Sequence, residues 1–352
     1  MGDISLSICI GIYLFFKRTK LYLFSILTMQ QTIHQRQQIM LFLRKGLIFL
    51  CWGCLAVVVF TLITSLLSYP FNKNMGRASY IDKMKRLDSI SSPKIIIIGG
   101  SNANYGLNSQ LLQDSVHLPV VNMSLNANVS FIFFCNVIKD HIQPGDIILA
   151  LPEYQFFDPQ QQVYGNQNLY QLATIVPTVA KHFTPVQWSR APLYLDDICA
   201  ANLESISYLL RNQPTETRGF YNSLGDFIGH QNKTTTLQKT PNVYVDYKSN
   251  LKHYQKINAA TKKHLIAFDQ FVSSKGATLL LDWPVYSNKL VDENFAGVIK
   301  NELLKLNWIG SYNDYLYDES ALYDSPYHLK FDYQNNRTWK IVNDIKRWQN
   351  AR

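Results

Sequence analysis

Four consecutive isoleucines, Ile95–Ile98, set between Lys94 and the pair Gly99–Gly100, constrain the fold more than any other stretch of this chain. A strand with one wet face alternates apolar and polar residues. An unbroken β-branched run is buried on both faces, as in a parallel sheet covered by helices. The two glycines permit a tight turn off the C-terminal end of that strand, the edge where open α/β sheets hold their ligands. Ser101 follows at once and would present its hydroxyl there.

Strand and helix patterns then alternate. Residues 106–115 carry Leu107, Leu111 and Leu112 at helical positions, and 119–125 (PVVNMSL) read as a second strand. Residues 127–142 place Phe131, Phe134, Cys135 and Ile138 on one side of a helix, and 144–154 (PGDIILALPEY) form a third buried strand. This order predicts a doubly wound three-layer α/β sandwich with a parallel sheet. Residues 155–250 break the pattern. Rich in Gln, Asn, Tyr and Pro, with weak helical stretches near 168–182 and 201–211, they read as an irregular insertion over the sheet's C-terminal edge. Helical spacing returns over 251–273, a fourth strand over 276–286, and helices over 294–306 and 335–349; YNDYLYDES has room for a short edge strand.

The formal charge of +9 is concentrated at the N-terminus, where residues 1–45 carry a net +5. The rest is too dilute for a nucleic-acid footprint, and no nucleic-acid partner is expected. The basic residues Arg44 and Lys45 precede an uncharged run of 24 residues, 46–69. That length crosses a bilayer core of roughly 30 Å. It exceeds the apolar region of a signal peptide, and Leu66, Leu67 and Tyr69 make a poor cleavage site, so an uncleaved anchor is favoured. The positive-inside rule puts the N-terminus in the cytoplasm and residues 70–352 outside. The expected organisation is an N-terminal segment 1–45, an anchor 46–69, a polar linker 70–93 and a core domain 94–352 containing the insertion. The start is left open among Met1, Met29 and Met40. Cys135 and Cys199 could pair in an oxidising compartment, although the apolar setting of Cys135 favours a buried free thiol.

Near the C-terminus, DSPYH supplies Asp324 and His328. A serine after the first strand with an Asp–His pair in the last loop suggests nucleophilic chemistry, in which the imidazole takes the serine proton and the carboxylate orients the imidazole. Each residue also has a plainer reading. Ser101 could cap the following helix, Asp324 could serve the turn before Ser325–Pro326, and His328 could be packed. GGSNANYG fits neither a dinucleotide fingerprint nor a P-loop, and no metal-ligand spacing occurs, so no cofactor or metal is expected.

Taken in order, these blocks resemble the SGNH/GDSL hydrolase superfamily, in particular its membrane-anchored branch tied to O-acylation of cell-surface polysaccharides (the alginate and D-alanyl-transfer type). The likeness covers about 94–154 and 276–349. GGSN stands where that family has GDS, which assigns Ser101 as nucleophile. NMSLNA stands for N-x-G-x-x-G, which aligns Asn122 and places Ser124 at the glycine. DSPYHL stands for the last block, with Asp324 and His328. The resemblance implies an oxyanion hole from the backbone N–H groups of Ser101 and Ser124. The family's G-x-N-D block is replaced by LPEY, with Glu153 and Tyr154, and the Asp–His spacing is one residue longer. Asn102 and Asn104 are candidates for the missing donor, and Asn122 for tying the loops. Glu153 is expected to pair with a core Arg or Lys. Tyr154 and Trp283 are expected to pack, with sugar stacking as the alternative. The implied activity is acyl-ester hydrolysis or O-acetyl transfer on a glycan at the outer face of the membrane, with a membrane-bound O-acyltransferase as a partner. The alternative is an inactive scaffold that binds glycan or that partner.

Overall fold

A computed structural model describes residues 33–211, 217–231 and 254–351. The readings made for residues 1–32 and for 232–250 of the insertion lie outside the described residues. The chain divides into two units, Met1–Phe60 and Thr61–Arg352. Helix α1, Ile33–Asn72, begins in the first unit. Its stretch Gln35–Asn72 is long and apolar enough to cross a membrane, and its large side chains, among them Phe49, Trp52 and Phe60, are exposed.

The second unit starts with the last turns of α1. Residues 70–93, expected as a polar linker, are folded instead: α2 (Ser79–Ser89) buries Tyr80, Lys83 and Leu87. Those positions recur at helical spacing, but the polar composition around them hides the pattern. Next come β1 (Ile95–Gly99), the short α3 (Ser101–Tyr105), α4 (Ser109–Val116), β2 (Val120–Asn122), α5 (Phe131–Val137) and β3 (Ile147–Leu151). Asn108 and Ser130 start α4 and α5 by accepting from the backbone N–H of Leu111 and Phe133. All five residues of β1 and of β3 are buried, and Ile97 pairs with Leu149 in parallel register. Each fully buried isoleucine contributes roughly 1.5–3 kcal/mol, so this strand pair is the centre of the core.

The insertion is less irregular than its composition suggests. It holds α6 (Gln167–Ile175), α7 (Pro185–Arg190) and α8 (Leu195–Arg211). A capping box between Thr184 and Gln187, with Pro185 at the first turn, sets α7. The chain then returns through α9 (Ala259–Ser274), β4 (Thr278–Leu281), β5 (Tyr286–Ser287), α10 (Glu293–Glu302), β6 (Asn307–Trp308), β7 (Leu316–Tyr317) and α11 (Gln334–Asn350). The main sheet is parallel, in the order β2-β1-β3-β4-β6. Its fifth strand is only two residues long and carries no pattern of its own. The strand expected in YNDYLYDES is β7, which pairs with β5 in a separate ribbon rather than at the sheet edge. Cys135 and Cys199 are both buried free thiols.

Candidate active site

The strand order reverses between β1 and β3: β1 connects to β2 on one side, and the chain crosses back to lay β3 on the other. Open parallel sheets leave a crevice at such a point, outside the strand C-termini. Ser101 leaves β1 there and Glu153 leaves β3 beside it. Ser101 Oγ donates to Glu153 Oε1 at 3.2 Å. The same oxygen accepts from the Asn102 backbone N–H at 3.0 Å and from Asn102 Nδ2 at 3.4 Å, while Gln155 Nε2 donates to Oε2 at 2.6 Å. The glycine pair follows from this contact. A Cβ on Gly100 would meet the Glu153 carboxyl carbon at 2.8 Å and the Ala127 side chain at 2.9 Å. Residue 100 is therefore glycine because a carboxylate from 53 positions downstream lies against its backbone.

Behind the serine lies a cation that the sequence reading missed. Arg337 of α11 is fully buried; its Nη1 donates to Asn102 O at 2.6 Å and its Nη2 to Asn102 Oδ1 at 2.8 Å. Burial pulls its guanidinium below the usual range, against the opposing pull of Tyr317, Tyr315, Asp282 and Glu153. The signal was present, since Arg337 shares a helical stripe with Ile341 and Ile345, a core position held by a charge. Glu153, expected beside a core Arg or Lys, thus has Arg337 nearby, but its direct bonds go to Ser101, Asn102 and Gln155.

On the far side of Arg337, Tyr315 Oη lies 2.7 Å from Asp282 Oδ2 and 2.6 Å from Asp344 Oδ2. A phenol has one proton to give, so the second contact requires a proton on a carboxyl group. Burial first, then the Asp344 charge, pushes Asp282 up to about 8.

His328 and Asp324 meet as the sequence spacing allows. His328 Nδ1 lies 2.6 Å from Asp324 Oδ1. The loop makes this possible by closing on itself: the His328 N–H donates to Ser325 O at 3.2 Å and the Tyr323 N–H donates to His328 O at 2.8 Å. The extra residue between acid and base is absorbed in that turn. With Nδ1–H given to the carboxylate, Nε2 keeps its lone pair for a proton. The imidazole also stacks on Tyr105, with centroids 4.2 Å apart and planes 2° from parallel. Tyr105 sits at the last position of α3, four residues after Ser101, so one short helix carries both the serine and the platform for the histidine.

Ser101 and His328 line one cavity of about 330 Å³, together with Tyr105 and Leu125. Arg77, Gln171, Glu204 and Tyr221 give it polar walls. No hydrogen bond joins Ser101 to His328; the hydroxyl is turned to Glu153.

The supporting residues fall into place differently from the expectation. The Ser124 N–H, assigned to the oxyanion hole, donates to Asn122 Oδ1 at 3.1 Å and Ser124 is fully buried, so it is not aimed at the cavity. The asparagine two residues earlier, which closes this loop on itself, is the physical reason. The Ser101 N–H opens α3 and has no intrahelical acceptor. Asn122 Nδ2 donates to Ala103 O at 3.2 Å and to Asp226 Oδ1 at 2.8 Å, tying loops together. Gly225, at φ +101°, lets the chain bearing Asp226 pass against Asn122 O, where a Cβ would clash. Asn102 is buried and committed to Leu151 O, Glu153 and Arg337, which excludes it as a substrate donor. Asn104 reaches the cavity wall, but its amide accepts from Lys83 Nζ at 3.1 Å and donates to Tyr221 Oη at 3.3 Å. Tyr154 and Trp283 pack on each other, 6.1 Å between centroids, outside the cavity lining. No group of three or more potential metal ligands occurs among the described residues.

No family model matches this chain, and no curated protein matches it. Among solved structures it is similar to protein YXIM of Bacillus subtilis, with 11% identity and a TM-score of 0.36, over 74% of this chain and 58% of that one. The chain therefore spans less than two thirds of that protein's length, and a likeness at this level bears on neither fold assignment nor activity.

Proposed function

We propose that this chain is a membrane-anchored serine acyl-ester hydrolase or O-acyltransferase of SGNH type, acting on a glycan outside the cytoplasmic membrane. One observation carries the reading: Ser101 and His328 line the same crevice, and Asp324 holds His328 by Nδ1. The strand order 2-1-3-4-6 accords with a doubly wound, flavodoxin-like sheet, whose ligands sit at the β1/β3 reversal. In the reaction, the Ser101 hydroxyl rotates off Glu153 towards His328 Nε2, which takes its proton as Oγ attacks the acyl carbonyl. The Ser101 N–H faces the developing oxyanion. His328 returns the proton to the leaving alcohol, and the acyl group then passes to water or to a sugar hydroxyl. The two outcomes share one acyl-enzyme and differ in whether water is kept out. Arg77, Gln171 and Tyr221 suit the hydroxyls of a sugar acceptor. Residues 70–352 lie outside by the charge asymmetry around the anchor, and a membrane-bound O-acyltransferase is the proposed acyl supplier.

A second reading is favoured by one contact. The serine hydroxyl is bonded to Glu153 and not to the imidazole, as in a scaffold whose site no longer turns over. Hydrolysis of a chromogenic acetyl ester by the full chain in detergent separates the two. The enzyme reading expects turnover that disappears in Ser101→Ala; equal rates in both proteins leave the scaffold.

A further inference from the structure

Lys83 is a buried cation that the proposed reaction leaves unused. It stands on α2, 2% exposed, behind two residues that line the crevice, Asn104 and Tyr221. Its Nζ donates to Asn104 Oδ1 at 3.1 Å and to Ser124 O, and lies 5.1 Å from the centre of the Tyr221 ring. An ammonium group has only donors. The Asn104 amide must therefore turn its oxygen to Lys83, which fixes Nδ2 on Tyr221 Oη, 3.3 Å away. A phenol oxygen that accepts from an amide gives its own proton elsewhere. Lys83 thus sets the direction of the chain: Nζ gives to Asn104, Asn104 gives to Tyr221, and Tyr221 is the donor at its end. Hydrogen bonds in series polarise one another, so a cation at the head strengthens the donor at the tail.

That tail is placed for chemistry. Asn104 follows Ser101 by three residues on α3, so the two side chains are neighbours on one helix face. Ser101, Asn104 and Tyr221 line the same cavity. The loop that carries Tyr221 is docked on the same short helix, since the Phe227 N–H donates to Asn104 O at 2.9 Å. Asp226 ties it to α4 by accepting from the Ser109 N–H at 2.8 Å, and Tyr221 pairs with Phe227 in an antiparallel bridge. A donor held in place before charge develops is worth the most to a reaction. The crevice is short of one. A tetrahedral intermediate on Ser101 leaves negative charge on the former carbonyl oxygen, the Ser101 N–H is a single donor, and the Ser124 N–H is spent on Asn122 Oδ1.

We propose that Tyr221 is the second oxyanion donor, with Lys83 and Asn104 as the positioning residues that aim and polarise it. The assignment rests on the acyl-ester reading of Ser101 and goes beyond contact with a sugar hydroxyl. The phenol proton stays on Tyr221 throughout. Its hydrogen bond to the carbonyl oxygen tightens as Ser101 Oγ adds to the carbonyl carbon, and relaxes when the alcohol leaves and the carbonyl re-forms.

The full chain in detergent, with p-nitrophenyl acetate as substrate, tests this, because that ester carries no sugar. Tyr221→Phe removes the hydroxyl and keeps the ring over Lys83. Its Ser101-dependent kcat is expected to fall about 10²-fold, with KM within threefold of the parent. A loss of less than tenfold, or a rise in KM alone as a binding contact would give, overturns the assignment. Asn104→Ala and Lys83→Met are each expected to lower kcat and to add nothing further in a Tyr221→Phe background; losses that multiply overturn the positioning role. Tyr221→Phe decides the assignment whether or not the two buried variants fold. A parent chain without Ser101-dependent turnover overturns the acyl-ester reading and the assignment with it, whereas parent turnover that Tyr221→Phe leaves intact overturns the assignment alone.

Discussion

The Ser101 side of the crevice is built into the sheet, whereas the His328 side hangs on a turn. Ser101 is surrounded by Glu153, Asn102 and Arg337, exposed by 1%, 0% and 0%, and each polar contact ties one strand end or helix to another. His328 is held by its own loop, by one carboxylate that is 39% exposed, and by the face of Tyr105. The difference teaches which half can move. A network of buried, mutually bonded polar groups has one arrangement and loses much when a member is removed. A turn with a single ion pair can shift its imidazole by a few ångströms at little cost. In the proposed reaction, Ser101 exchanges Glu153 for His328, and the turn is the half able to come to it.

Substitutions on the two sides should therefore separate activity from stability. The largest expected effect is on the His328 side: His328→Ala should lower ester turnover by roughly 10⁴-fold or more while lowering the melting temperature of the detergent-solubilised chain only slightly. Next, Arg337→Met should destabilise by about 3–5 kcal/mol, because Asn102 loses both donors and the acidic groups nearby lose their cation. Thermal unfolding of the two variants side by side checks the contrast, and equal melting losses would erase it. Gly100→Ala should cost about 1–3 kcal/mol as the new methyl group displaces Glu153 and Ala127. Tyr105→Leu should cost only about 0.5–1.5 kcal/mol and should slow turnover by freeing the imidazole, which a pH–rate profile would register.

A separate effect, on stability rather than turnover, concerns the carboxyl pair behind Arg337. Asp282 has a folded-state pKa raised to about 8, well above the ordinary carboxyl value that it regains on unfolding. Between about pH 4 and pH 8 the folded chain keeps a proton that the unfolded chain has lost. Stability should therefore fall as pH rises through that window and level off above it. Tyr315, Arg337 and Arg347 surround the pair of Asp282 and Asp344. Melting temperatures at pH 5, 7 and 9 should show this decline, and Asp282→Asn should flatten it.

The parts legible in the sequence are those whose cause is local. The isoleucine run announces a strand buried on both faces, and PGDIILALPEY does the same for β3. The apolar run before Asn72 announces its helix. Asp324 and His328 lie close enough in the chain for their contact to be read from spacing. The parts that stayed hidden depend on distant partners. Glu153 reaches Ser101 from the end of another strand, and nothing in LPEY tells that its carboxylate fixes Gly100. The Ser124 N–H was diverted by Asn122, a competition between a side chain and a proposed function that a motif does not contain. β6 is two residues long, and α2 is a one-sided helix inside polar sequence. Arg337 is intermediate: its place on an apolar stripe was visible, but its partner, Asn102, lies 235 residues away.

A fluorophosphonate tests the proposed nucleophile most directly, since it reacts only with a serine that an adjacent base can deprotonate. The full chain should take up one equivalent at Ser101, identified by peptide mass. Uptake should be lost in Ser101→Ala and should slow sharply in His328→Ala. A chain that stays unlabelled, or one labelled equally well with either residue replaced, would contradict the account and leave a membrane-tethered binding domain.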